Sequence, residues 1–233
     1  MMDLDRLINL DKSILFWFNG SNSMFVDGLA LTLTSAYTWV FLYVALFYLV
    51  IRNNEKWSQI FLIVGACAFC LLLASGLSEG IVKPFVARPR PSLEPSLSGI
   101  VDLAKGYRGT GYSFFSAHAA NTLSIAVFFS LLVRSRVFTI GMLSWSVVNC
   151  WTRLYLGVHY PSDILVGIVW GVLVGFLVYL IYMWMYKKIT AKLHYISTQY
   201  TSTGYSLSDV DVVLNVLSLT FVYALVRSVV IAL

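Results

Sequence analysis

The chain has 233 residues, of which 59% are hydrophobic and 12% are charged, and its mean hydropathy is +0.79. Soluble domains carry about 25% charged residues, so this composition excludes a water-soluble globular enzyme. The net charge of +5 is too dilute, and too interrupted by apolar runs, for a nucleic-acid surface. Because no linker or break in composition divides the chain, we expect a single membrane domain over residues 1–233.

The first predicted element is a short amphipathic helix. Leu7, Ile8 and Leu15 recur at helical spacing, while Asp11 and Lys12 occupy other faces. This pattern is typical of a helix that lies on the membrane surface. The acidic start, with no basic segment before an apolar core, is not that of a cleavable signal peptide.

Six long apolar runs follow. A helix crosses the hydrocarbon layer of a bilayer with about 20 apolar residues. The runs are Leu29 to Ile51, Gln59 to Val82, Ser113 to Val133, Val137 to Val158, Ile164 to Tyr186 and Val212 to Leu233. We therefore predict an all-α, polytopic bundle of six transmembrane helices plus the amino-terminal interfacial helix.

Six spans divide the loops between two sides of the membrane. Seven basic residues fall in short loops of one side: Arg52, Lys56, Arg134, Arg136, Lys187, Lys188 and Lys192. The positive-inside tendency makes this side cytoplasmic. We expect the segment 83–112 and the short link 159–163 to lie on the opposite, outer side.

Ionisable residues beside apolar spans are costly, so they indicate a functional site. In this chain they gather at one predicted membrane depth on the outer side: Lys83, Arg88, Arg90, His118, Arg153, His159 and Asp163. Several helix ends converge at that depth. We expect these side chains to surround one pocket.

The residue types in this group favour phosphoryl chemistry. Arginine matches phosphate oxygens in pairs, lysine acts as a point charge, and both stabilise a transferring phosphoryl group. No second carboxylate or cysteine completes a metal or glycosidase site. The predicted helix starts near His118 and Asp163 would add backbone N–H donors for an anion.

The two histidines suit two different roles. His159 and Asp163 are four residues apart, which places them on one helical face, so that Asp163 can hold one imidazole nitrogen and leave the other free to attack phosphorus. His118, from another helix, can protonate the departing oxygen because imidazole titrates near neutral pH.

Three motifs resemble the signature of the type 2 phosphatidic acid phosphatase (PAP2) superfamily over residues 83–163. They are Lys83-x6-Arg90-Pro91, Ser116-Ala117-His118 and Arg153-x5-His159-x3-Asp163. The resemblance implies a phosphohistidine on His159, orientation of that ring by Asp163 and general acid catalysis by His118. It implies that the phosphate is bound by Lys83, Arg90, Ser116, Ala117 and Arg153, with no metal and no cofactor.

The resemblance also implies a substrate class and a location. We expect hydrolysis of a lipid phosphate or diphosphate at the extracytoplasmic face of a bacterial cytoplasmic (inner) membrane. The candidates are undecaprenyl diphosphate, lipid A phosphate and phosphatidylglycerol phosphate. The expected partners are this lipid and the bilayer, with no nucleic acid and no obligate protein partner.

The middle motif departs from the usual family pattern. Phe115 and Ala117 stand where the family has proline and glycine, and Thr152 stands where it has serine before the arginine. An alanine N–H replaces that of glycine unless the backbone φ is positive there. We expect activity to survive.

Other interpretations remain open at the level of sequence. The cations, Arg88 above all, could be anchors that extend from helix ends to the membrane surface. Glu79 could pair with Lys83 across one helical turn, and Arg227 has no partner nearby in sequence.

The same phosphohistidine would also serve a lipid-linked phosphotransferase. A non-enzymatic anion-binding or transport protein predicts repeat symmetry and polar residues through the bundle, and the sequence has neither.

Overall fold

The structure is a computed structural model that describes residues 4–97, 99–189 and 198–233. Lys192, one of the seven basic residues predicted to face the cytoplasm, lies outside the described residues. The described part is helical, without a strand. The helices are α1 (Leu4–Phe18), α2 (Met24–Thr34), α3 (Val40–Arg52), α4 (Trp57–Leu71), α5 (Lys83–Val86), α6 (Ala117–Val133), α7 (Arg136–Tyr155), α8 (Pro161–Ile189) and α9 (Leu207–Ala232). The predicted all-α architecture is confirmed.

The first predicted span, Leu29 to Ile51, is not one continuous helix. α2 ends at Thr34, Ser35 is extended, and the following helical segment turns by 66°. The carbonyls freed by the break are bonded by side chains: the Thr38 hydroxyl donates to Thr32 O, and the Trp39 indole donates to Leu33 O at 2.8 Å. Side chains that bond to backbone carbonyls in this way compete with the backbone hydrogen bonds of a helix. A hydropathy profile does not detect this competition.

Three described helical segments are long and apolar enough to cross a membrane: Trp57–Leu97, Pro161–Ile189 and Leu207–Ala232. The bent pair formed by Met24–Thr34 and Ala36–Arg52 makes a fourth if it counts as one span. α6 is apolar but has 17 residues. The apolar helices agree with a membrane protein, while six spans stay a prediction.

The second predicted span changes its winding before it reaches the site. α4 continues into two π-helical turns, Leu72–Gly76 and Ser78–Val82, and then into α5. Trp170 of α8 donates to Leu73 O at 3.2 Å, and the buried Ser78 hydroxyl donates to Phe115 O at 2.8 Å. Wide turns of this kind occur often at functional sites, and here they lead directly to Lys83.

α6 and α8 pack with their backbones in contact. Gly167, Gly171 and Gly175 recur every fourth residue of α8, and a Cβ on them would lie 2.7, 2.7 and 2.6 Å from carbonyl oxygens of α6. Those carbonyls belong to Ser116, Ala120 and Ser124. Small residues at this spacing let membrane helices approach closely. The contact places the first turns of both helices side by side.

α1 covers the same end of the bundle. Its Leu15 is fully buried against Leu97, Val101 and Tyr160, whereas Leu7 and Ile8 are exposed. The predicted segment is therefore a helix that packs through Leu15, while its amphipathic character stays a prediction. Its position on a membrane surface stays a prediction.

The glycine contact predicts that an alanine substitution destabilises the protein at Gly171 but not at Gly65. Gly171→Ala should lower the thermal unfolding midpoint in detergent, because forcing a methyl group against the Ala120 carbonyl costs about 1–3 kcal/mol, more than the roughly 1 kcal/mol gained in helix propensity. Gly65→Ala in α4 is the matched control, since a Cβ there meets nothing within 4 Å. Equal midpoints for the two variants would contradict the packing argument.

Candidate active site

Three cationic side chains are buried at the end of the bundle where α5 begins and α7 ends. Lys83, Arg90 and Arg153 are only 4, 6 and 3% exposed, and they are close enough to repel one another. Buried charges are costly unless they are paired. Lys83 pairs with Glu79 one turn before it, as the spacing predicts, but that carboxylate is 58% exposed. The three cations therefore favour the entry of an anion.

Arg90 is held by backbone carbonyls. Its Nε donates to Thr110 O at 3.0 Å and Gly111 O at 3.2 Å, and its Nη1 donates to Val158 O at 2.9 Å. The loop approaches so closely that a Cβ on Gly109 would lie 2.8 Å from the Arg90 side chain. These contacts fix the guanidinium without neutralising its charge.

Arg153 extends from the last turn of α7 toward α2 and the same loop. Its Nη1 contacts the hydroxyls of Thr34 and, at 3.5 Å, Tyr107. Its Nε is buried and has no hydrogen-bond partner among the described residues. A buried donor of this kind is costly to leave unpaired, so it points to a ligand that accepts.

His159 lies in the turn between α7 and α8 and is almost completely buried. Its Nε2 is 3.2 Å from Arg90 Nη1, and its Nδ1 is 3.5 Å from Asp163 Oδ2, a close contact rather than a hydrogen bond. Because a guanidinium can only donate, Nε2 must accept, and the proton of the neutral ring belongs on Nδ1, facing Asp163. The ring thus presents an electron pair toward the cations.

The surroundings of His159 also keep it uncharged. Burial, with the positive charges of Arg153, Arg90 and Lys83, holds the pKa of His159 well below its usual range. A neutral imidazole keeps the electron pair that a nucleophile needs.

Asp163 is fixed in the first turn of α8. Its Oδ2 accepts the Tyr160 N–H at 2.9 Å, and its Oδ1 accepts from Arg88 Nη1 at 2.8 Å. Arg88 is therefore not an unpaired helix-end anchor. It is a partner of the acid beside His159.

The middle motif begins α6 next to this acid. The buried Ser116 caps the helix, accepting the Ala119 N–H at 3.4 Å, and its own N–H donates to Asp163 O at 3.1 Å. Ala117 is not among the residues with positive φ, so alanine fits the first helical position without strain. His118 is exposed and lies within electrostatic reach of His159, Arg153, Lys83 and Arg90.

All eight predicted site residues thus lie at one end of the bundle. Sequence reasoning missed Thr34 and Tyr107 beside Arg153, and it missed the acidic partners of Arg88. Their contacts span 119, 46, 77 and 75 positions of the chain, so no local sequence pattern indicates them. No group of three or more His, Cys, Asp or Glu side chains suited to a metal occurs in the parts of the chain that the structure describes.

An all-helical protein with apolar helices and this cluster of buried cations beside two histidines has the features of a membrane lipid phosphatase. The family model described as PAP2 superfamily matches residues 65–187. The chain belongs to the PAP2 superfamily, in its bacterial membrane lipid phosphatase branch, and is a phosphoric monoester hydrolase.

Relatives of known activity span most of the chain. It is 32% identical to a lipid A 4'-phosphatase of Bacteroides thetaiotaomicron, over 97% of this chain and 100% of that protein. It is 34% identical to a lipid A 4'-phosphatase of Porphyromonas gingivalis, over 78 and 76% of the two chains. The crystal structure of Aquifex aeolicus LpxE has the same fold, with a TM-score of 0.52 and 21% identity over 72% of this chain and 94% of that one.

The buried cations predict that inorganic phosphate stabilises the protein. At about 100 times its Kd, a ligand that binds only the folded state adds about 2.7 kcal/mol, which raises the unfolding midpoint. Arg153→Gln should lose this shift, whereas Arg136→Gln, at the other end of α7, should keep it. An undiminished shift in Arg153→Gln would exclude Arg153 from the anion site.

Proposed function

We propose that the protein removes a phosphate monoester from lipid A through a phosphohistidine on His159. One observation carries the chemistry: His159 is buried between Asp163 and Arg90, with its unprotonated nitrogen directed at the cations. The choice of lipid A over undecaprenyl diphosphate and phosphatidylglycerol phosphate is supported by the two lipid A 4'-phosphatases that match most of the chain.

The first half of the reaction transfers the phosphoryl group to the enzyme. The Nε2 electron pair attacks phosphorus, and the bond from phosphorus to the sugar oxygen breaks. Protonated His118 gives its proton to that oxygen, so the lipid leaves as an alcohol. Asp163 stabilises the positive ring through the Nδ1 proton.

The second half restores the enzyme. A water attacks the phosphohistidine and loses a proton to His118, the bond from phosphorus to nitrogen breaks, and inorganic phosphate leaves. Lys83, Arg90 and Arg153 stabilise the equatorial oxygens in both halves, and the backbone at Ser116 and Ala117 completes the phosphate site. No metal takes part, so we expect EDTA to leave the rate unchanged.

We further propose that residues 1–233 form one domain with six spans, in which α6 and α7 cross the membrane besides the long apolar segments. The site then opens at the extracytoplasmic face of a bacterial inner membrane, where α1 lies in the interface. This is supported by the basic loops at the opposite ends of the helices, such as Lys56 before α4 and Arg136 at the start of α7.

His159→Ala should abolish phosphate release and phosphoenzyme formation. The measurement uses purified protein in detergent micelles with lipid A, undecaprenyl diphosphate and phosphatidylglycerol phosphate, and mass spectrometry of the lipid identifies the phosphate lost. His118→Ala should form products about 100-fold to 10,000-fold more slowly, because general acid catalysis contributes that much.

The third histidine, His194, lies outside the motif segment and supplies the matched control. His194→Ala should release phosphate at the wild-type rate. Full turnover by His159→Ala would refute the mechanism, and a preference for either of the other two lipids would refute the substrate assignment.

The orientation is tested by labelling single cysteines in a variant whose native cysteines are replaced. In spheroplasts, a membrane-impermeant maleimide should label Arg108→Cys, in the exposed loop beside the site, but should label Lys56→Cys only after permeabilisation. The reverse pattern would place the site on the cytoplasmic side.

A further inference from the structure

The amino-terminal helix contacts the active site through one carboxylate. Asp11 Oδ1 accepts the Ser162 N–H at 2.8 Å, and Asp11 Oδ2 accepts the Ser162 hydroxyl at 2.6 Å and Arg88 Nη2 at 2.8 Å. Asp11 thereby binds the first turn of α8 and the loop after α5 at once. It does so from a helix outside the segment 65–187 that defines the family.

Arg88 is held on both sides by acids. Its Nη2 contacts Asp11, its Nη1 contacts Asp163 Oδ1 at 2.8 Å, and its guanidinium carbon lies 3.8 Å above the centre of the Tyr160 ring. The side chains of Arg88 and Asp11 are 25 and 11% exposed. A planar fork stacked on an aromatic ring and bonded at both ends has little freedom to turn.

The third member of the chain of contacts is Asp163. Arg88 fixes its Oδ1, and the Tyr160 N–H fixes its Oδ2, the oxygen that faces His159 Nδ1. With one oxygen released, the carboxylate could rotate about its bond to Cβ, and the oxygen that faces the ring would move. Arg88 therefore limits the orientation of the group that orients His159.

We infer that Asp11 and Arg88 are positioning residues of the active site: Asp11 holds Arg88 against Asp163, and Arg88 holds the Asp163 carboxylate in the plane in which it faces His159. The inference rests on the proposed phosphohistidine reaction. It assigns α1 a part in catalysis as well as in packing. We expect neither residue to touch the substrate, because both ends of the Arg88 fork are occupied by carboxylates and Asp11 is bonded to Ser162 and Arg88.

Asp11→Asn isolates the charge of Asp11. The amide oxygen still accepts the Ser162 N–H, but the NH2 group repels the Arg88 fork. Misplacement of a catalytic group by a fraction of an ångström costs on the order of tenfold in rate. We expect kcat for the hydrolysed lipid, and the single-turnover rate of phosphohistidine formation, to fall about tenfold, with KM within about twofold of wild type.

The matched control is Lys12→Gln, the next residue of α1, whose amino group donates to Ser96 at 3.2 Å and lies apart from Arg88. It removes a charge and a contact of the same helix, and we expect wild-type rates. Unfolding midpoints of both variants should agree with wild type within a few degrees. A loss of activity in both would mean that α1 acts only through its packing.

A double-mutant cycle tests whether Asp11 acts through Arg88. Arg88→Gln should lower kcat at least as much as Asp11→Asn, and the double variant should lose nothing further, since coupled residues are not additive. Arg88→Lys, which keeps the charge but not the fork, should recover part of the rate. Independent, multiplying losses would overturn the inference, as would a change confined to KM.

The outcomes also separate this inference from the proposed function. Wild-type protein that forms no phosphohistidine contradicts the proposed function and this inference with it. Wild-type protein that forms it, while Asp11→Asn forms it at the same rate, contradicts the inference alone.

Discussion

The close contact between α6 and α8 determines where the catalytic groups lie. Gly167, Gly171 and Gly175 let α8 rest on the carbonyl oxygens of α6, and any Cβ there would force the helices apart. α8 begins directly after His159, and α6 begins with the motif that contains His118. A hydrogen bond from the Ser116 N–H to Asp163 O joins the two helix starts. The distance between the motifs is thus a consequence of helix packing rather than of loop conformation.

The second constraint is electrostatic. Lys83, Arg90 and Arg153 are buried together, and among the residues that the structure describes only Lys83 has a carboxylate within ion-pair distance. Arg90 is bonded to carbonyl dipoles, which orient the charge without neutralising it. The three cations repel one another, and a bound phosphate would offset that repulsion. Sites that bind tightly are often sites whose residues destabilise the unliganded fold.

The candidate site was readable from sequence because charge is scarce in this chain. A buried charge beside an apolar span is costly and therefore indicates a function. The phosphate motifs supply such a function for each of these residues: Lys83, Arg90, Arg153 and Asp163. The glycine spacing of α8 repeats every fourth residue and indicates a close helix contact, while the structure identifies α6 as the partner.

Other features could not be read in this way. The hydropathy of the run Leu29 to Ile51 is the same whether the helix is straight or bent. At the bend, the side chains of Thr38 and Trp39 donate hydrogen bonds to backbone carbonyls of α2. The uninterrupted apolar run Ile164 to Tyr186 predicts α8, which extends beyond that run at both ends, over Pro161–Ile189. The pairing of Asp11 with Arg88 joins residues 77 positions apart, and no periodicity relates a surface helix to a loop.

The two histidines differ in burial in the way that the proposed reaction requires. His159 must be neutral to attack, and it lies buried where desolvation and three cations disfavour its protonated form. His118 must give a proton to a lipid oxygen and later take one from water, and it lies exposed at the start of α6. The same cations act on both rings. A bound phosphate would offset the repulsion between these cations and a protonated His118. Substrate charge would thus act on the proposed acid, whereas burial and the cations together keep the proposed nucleophile neutral.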